Sequence, residues 1–169
     1  MTDIDYSAND TTADRPSDHE VVFRRSINAP RDVVWAMWSD EQHINRWWGP
    51  DGFTTTTYEF AFESGGVWRY VMHGPDGTDY PNRVVFREIE WPSRIVYDNS
   101  WDLPGAPVHF TATVMFVSAG TKTELEFRMN FPDATALASA VDLYKVMEGG
   151  RQTFARLASH VATTTHSRS

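Results

Sequence analysis

Apolar and polar residues alternate along this chain at two periods, and the switches between them outline its elements. From Glu20 to Ile27, Val21, Phe23 and Ile27 share one side of a two-residue period among the charged Glu20, Arg24 and Arg25, which predicts a strand. Asn28-Ala29-Pro30 then predicts a helix start. Pro30 suits the first helical position, where its missing N–H costs nothing, and Asp32 suits the first turn, where the helix dipole favours an anion. Val34, Met37 and Trp38 fall at helical spacing, and Ser39-Asp40-Glu41 predicts a break and a new cap before a short second helix through Trp47. Gly49-Pro50-Asp51-Gly52 is turn chemistry. Beyond it the period of two returns in Tyr58, Phe60 and Phe62, then in Trp68, Tyr70 and Met72, then from Arg83 to Ile89, and again in Ile95, Tyr97, Asn99 and Trp101. Val108 to Val117 and Thr123 to Phe131 flank Ser118-Ala119-Gly120 as a hairpin. Short strands joined by tight turns predict an antiparallel meander.

After Pro132-Asp133 the period becomes helical once more: Leu137, Val141, Tyr144, Met147, Phe154, Leu157, Ala158 and Val161 make one stripe, predicting a single long helix. The order of elements predicts an α+β domain, a curved antiparallel sheet gripped on one face by that helix. Gly149-Gly150 inside the helix costs about 2 kcal/mol against Ala-Ala, which points to close approach against the sheet. Residues 1–19 and 163–169 are polar and aperiodic and read as disordered tails. Residues 20–162 are left as one domain.

Composition leaves the interior open to either a packed core or a cavity. Aromatic residues make up 14% of the chain, with seven Trp, and packing many rigid rings is compatible with a hollow. Trp68, Tyr70, Met72, Val84, Phe86, Tyr97, Met129, Met147 and Phe154 are expected to share the interior. Tyr70, Tyr80, Tyr97, Asn99 and His109 are the polar groups that would orient a ligand there. Trp47-Trp48 sits where the small helices meet the mouth, as a plug of the core or as a lid on a ligand. Glu148 is expected to face solvent.

The formal charge of −8 argues against a nucleic-acid partner. No apolar run approaches a membrane span, and the N-terminus lacks the pattern of a signal peptide, so cytoplasm is the expected location. Zero Cys excludes thiolate metal sites and Cys nucleophiles. His43, His73 and His109 are scattered over different elements, and no HExxH, GxSxG, P-loop or dinucleotide fingerprint occurs. No metal, cofactor or catalytic residue is therefore assigned. His109 and Asp98 are the first acid–base candidates, with Asp98 placed by alternation on the face opposite Tyr97.

Four stretches carry a family resemblance: APRDVVWAMWSDEQHINRWWGPDGF from Ala29, GGVWRYVMHGPDG from Gly65, YPNRVVFREIEWPSRIVY from Tyr80 and MEGGRQTFARLASHVA from Met147. In this order they resemble the activator of heat-shock protein 90 ATPase homologue-like family, in its small bacterial form, within the START, polyketide cyclase and birch-pollen-allergen (SRPBCC) superfamily. The resemblance implies a helix-grip fold, with two small helices after the first strand and the C-terminal helix across the concave face of the sheet. It implies a cavity there for a small hydrophobic molecule such as a lipid, sterol or polyketide. The wider superfamily also holds cyclases and hydratases. The eukaryotic activators stimulate a chaperone with the help of an extra N-terminal domain, where this chain has a short polar tail. A binding protein is the leading expectation; an enzyme and a chaperone partner are the alternatives. Monomer and homodimer both stay open.

Overall fold

The computed structural model describes residues 10–166. The elements follow in the order β1 (Thr12–Ser17), β2 (Glu20–Ile27), α1 (Arg31–Ser39), α2 (Glu41–Trp47), β3 (Thr54–Phe60), β4 (Val67–His73), β5 (Asp79–Glu90), β6 (Arg94–Trp101), β7 (Phe110–Ala119), β8 (Lys122–Asn130), α3 (Ala134–Tyr144) and α4 (Val146–His166). One eight-stranded antiparallel sheet has the order β1-β2-β8-β7-β6-β5-β4-β3. The meander from β3 to β8 is the predicted one, and β2 docks on β8 with Phe23 opposite Phe127. Register shifts near Tyr58 in β3 and Arg87 in β5 place bulges in these strands, and bulges increase local bend and twist. The sheet is curved, and α4 lies in its concavity: the helix-grip α+β fold.

Three expectations need correction. The N-terminal tail expected over 1–19 contains an edge strand, Thr12–Ser17, paired with β2. An edge strand needs a partner on one side only, so its side chains stay polar and show no apolar period. Pro16 is tolerated because the register slips between Asp14 and Ser17. Residues 1–9 lie outside the described ones. At the other end, α4 continues through His166, past the tail expected from Thr163; residues 167–169 lie outside the described ones. The single long helix is in fact two, because Lys145 adopts a left-handed conformation (φ 53, ψ 43) between α3 and α4.

The caps explain where the helices begin. Pro30 is the N-cap of α1, one residue earlier than expected, and provides no side-chain cap. Asp40 starts α2 by accepting from the Gln42 N–H at 2.9 Å, and Asp133 starts α3 by accepting from the Ala136 N–H at 2.8 Å. Val34, Met37 and Trp38 of α1 and Ile44 and Trp47 of α2 are buried. Together they fill the end of the concave face next to β7 and β3, and the hollow lies at the other end.

Candidate ligand cavity

Between the concave face, α3 and α4 lies a cavity of about 810 Å³. That is within the range of small-molecule sites. Alternation along the strands supplies its floor. Tyr70 and Met72 come from β4, Tyr80 and Asn82 from β5, Tyr97, Asn99 and Trp101 from β6, and Phe127 and Met129 from β8. Val146, Gly149, Gly150, Thr153 and Phe154 of α4 form the roof, and Ala136, Ala140 and Leu143 of α3 extend it. Two loops close the mouth, one with Gly49, Pro50, Asp51 and Phe53, the other with Pro107, Val108 and His109.

Gly150 sets how closely the roof approaches. A Cβ there would come within 2.2 Å of the Phe23 ring, and one on Gly149 would stand 3.3 Å from Pro50. The Gly-Gly pair is therefore a close-packing device. Below it, the rings of Phe23, Phe127 and Phe154 pack with centroids 5.2 to 6.5 Å apart. At the mouth, Arg156 donates to the carbonyls of Gly49 and Pro50 at 2.6 and 2.8 Å, and the Asp51 N–H donates to Gln152 at 3.1 Å. These bonds pin the loop after α2 to α4.

The two adjacent tryptophans separate, as successive helical positions must. Trp47 is fully buried and donates its indole N–H to the Met37 carbonyl at 3.1 Å. Trp48, at the C-cap of α2, turns to the cavity and packs edge-on against Trp68 and Tyr70 at 5.2 and 6.2 Å. Of the other residues expected at the site, Tyr70, Met72, Tyr80, Tyr97, Asn99, His109, Met129 and Phe154 line the cavity.

Trp47, Trp68, Val84, Phe86 and Met147 do not line it. Trp68, Val84 and Phe86 face inward but lie towards the α1–α2 end. Phe86 packs on Phe62 at 5.1 Å, and Trp68 donates to Thr57, which donates to Asn45. Met147 lies on α4 between cavity-lining positions, about 100° round the helix from each neighbour. Phe23, Asn82, Trp101 and Phe127 line the cavity without having been expected there. Their alternation with Val21, Val84, Asn99 and Met129 would have identified them.

The polar groups on the floor are neutral and form a patch across adjacent strands. Asn82 donates to the Tyr80 carbonyl at 2.9 Å, and Asn99 approaches the Asn82 side-chain oxygen at 3.4 Å. Burial pushes the Tyr70 phenol well above its ordinary pKa, opposed by hydrogen bonds from Trp48 and Asn99. Burial and then the neighbouring Tyr70 push Tyr97 up as well, and the Tyr97 hydroxyl is buried without a hydrogen-bond partner. His109 packs edge-on against Trp101 at 5.0 Å, and burial pulls its pKa below the usual histidine value. Asp51, Lys145 and Glu148 are exposed at the rim.

The remaining candidates lie elsewhere. Asp98 is on the outer face, paired with Arg87 and accepting from Thr111 at 2.7 Å. His73 sits between Thr56 and Asp79, at 2.8 and 2.7 Å. His43 contacts His160 at 2.9 Å where α2 meets α4. Among the described residues, no three or more of His, Cys, Asp and Glu are grouped to hold a metal ion, and no helix is long and apolar enough to cross a membrane.

Comparison with known proteins agrees with this architecture. The family model described as Activator of Hsp90 ATPase homolog 1-like protein matches residues 28–162. Comparison with curated proteins returned no match. A solution NMR structure of a protein from Arthrobacter aurescens is similar with a TM-score of 0.83 and 23% identity, over 90% of this chain and 91% of that one. A crystal structure of a protein from Rhodobacter sphaeroides gives 0.79 and 20%, over 91% and 99%. A crystal structure of the AHSA1 protein from Silicibacter pomeroyi gives 0.66 and 19%, over 86% and 99%. At these identities the likeness establishes the fold.

Proposed function

This chain belongs to the activator of Hsp90 ATPase homolog 1-like family, and from that premise we propose that it is a binding protein for one small hydrophobic molecule. The observation that carries the reading is the cavity of about 810 Å³ beneath α4, walled by Trp48, Phe23, Phe127, Phe154, Met72 and Met129. An apolar hollow with a few placed polar groups has the chemistry of a small-molecule site. Removing an apolar ligand from water into such walls is favourable by about 25 cal/mol per Å² buried. The exposed side chains of Val108, Leu143 and Tyr144 lie at the mouth of this cavity. That position suits ligand entry, while Tyr58, Trp91, Leu103 and Val117 are exposed away from the cavity lining. Native mass spectrometry of protein purified without detergent tests the reading. A co-purifying species of small mass that is released on denaturation supports it. Protein of bare mass that also gains no thermal stability from lipids, sterols or aromatic ketones refutes it.

One observation favours a second reading, a cyclase- or hydratase-type enzyme in the same cavity. His109 stands on the wall, where partial burial lowers its pKa and so favours the neutral imidazole that a general base uses. Incubating any recovered ligand with fresh protein tests this. The enzyme reading requires a change in mass or, for a ring closure that conserves mass, in chromatographic retention, and His109→Gln should abolish it.

A further inference from the structure

The elements around the cavity mouth are held in place very differently. The loop of Gly49, Pro50 and Asp51 is tied to α4 by three hydrogen bonds, two from Arg156 and one to Gln152. The helix α3 borders the same cavity through Ala136, Ser139, Ala140, Leu143 and Tyr144. Of its 11 residues only Leu137 is buried, and Leu143 is 72% exposed although it lines the cavity. Among the described residues, no α3 side chain makes a hydrogen bond or an ion pair. The helix is held chiefly by Leu137 and by the Tyr144 ring, which packs against Trp101 at 5.8 Å. Its junction with α4 is strained, because Lys145 sits at φ 53, ψ 43, which a non-glycine residue adopts only at a cost. Most helical stability comes from packing of an apolar face, and a segment with few buried contacts opens before the rest of its domain.

Resting on the ligand-binding reading above, we infer that α3 is the door of the cavity, loosening to admit a ligand while α4 and the loop after α2 stay in place. The helix is tethered at both ends, to β8 through Phe131, Pro132 and Asp133 and to α4 through Lys145. With tethers this short it cannot swing out as a rigid arm. It acts as a strap that opens by loosening its own turns, and it uncovers the cavity beside Trp101, where Tyr144 now packs. The three bonds on the loop after α2 hold that side shut meanwhile.

Ala138 is exposed on α3 and does not line the cavity, so Ala138→Gly weakens the helix without touching a ligand. Stopped-flow mixing with N-phenylnaphthylamine, followed by fluorescence, measures entry and exit. Ala138→Gly is expected to raise both rates about fivefold while Kd changes by less than about twofold, because a rarely opened door is passed in both directions. Asp40→Ala removes the α2 cap at the closed end of the concave face. It lowers stability by a similar amount and is expected to leave both rates unchanged. Hydrogen exchange gives a second readout: α3 amides should exchange faster than those of α4 around Phe154, and should slow when the probe is bound. Rates unmoved by Ala138→Gly, rates raised as much by Asp40→Ala, rates raised by Arg156→Met instead, or α3 amides as protected as those around Phe154 would each overturn the inference and leave the binding reading standing. A wild type that binds no probe removes both together.

Discussion

Gly150 of α4 rests on the ring of Phe23 of β2 so closely that a Cβ on the glycine would come within 2.2 Å of the ring. This contact fixes the height of α4 above the sheet, and the cavity opens beside it. Gly150→Ala gains about 1 kcal/mol of helix propensity but overpacks the interface at a cost of about 1–3 kcal/mol or more. The expected result in urea unfolding is a net loss. Adding Phe23→Leu to Gly150→Ala recovers part of it. Gly149→Ala faces Pro50 at 3.3 Å and is expected to be neutral or mildly stabilising.

The paired tryptophans make opposite predictions. Trp47→Ala empties a fully buried site and breaks the bond to the Met37 carbonyl, at a cost of about 3–5 kcal/mol. Trp48→Ala borders a space that is already hollow, so its cost is expected to be roughly half that, with the larger effect on affinity for an apolar probe. Chemical denaturation together with a binding titration separates the two.

How far the sequence discloses this arrangement depends on the kind of signal. Alternation along β4, β6 and β8 places Tyr70, Met72, Tyr97, Asn99 and Met129 on the inner face, because pleat geometry leaves no other choice once the register is set. It does not say how far along that face the hollow extends. Trp68, Val84 and Phe86 therefore share the face but end in the packed region near α1 and α2. The strand Thr12–Ser17 stayed hidden because an edge strand carries no apolar period. The break at Lys145 stayed hidden because neither Gly nor Pro marks it, and the apolar stripe runs straight across it.

That break is itself testable. A left-handed Lys costs about 1–2 kcal/mol relative to its preferred conformation, and Gly adopts the same angles without steric penalty. Lys145→Gly is expected to raise the unfolding midpoint. Lys145→Pro, whose φ is locked negative, is expected to lower it, with loss of order in α3 visible by hydrogen exchange.

Stability should fall on mild acidification. Burial, and then the electrostatic influence of the neighbouring His43 and Arg46, lower the pKa of His160, and burial lowers that of His109. The unfolded chain, with ordinary histidines, takes up protons first as pH drops below about 6.5. The contribution of these groups is therefore complete above that value and is lost as pH falls through their lower folded values. Melting temperatures measured between about pH 7.5 and about pH 5.5 should decline, and His160→Gln should flatten the slope. Parallel curves for the two proteins would mean that the His43–His160 contact does not carry the effect.

The central claim is that the space beneath α4 admits an apolar molecule, and the methionine methyls report on it directly. Met72 and Met129 line the cavity, while Met37 lies in the closed core under α1. In protein labelled at the methionine methyls and titrated with N-phenylnaphthylamine, the signals of Met72 and Met129 are predicted to shift and saturate together while Met37 stays in place. A titration that moves none of them, or moves Met37 as far as the other two, would contradict the account.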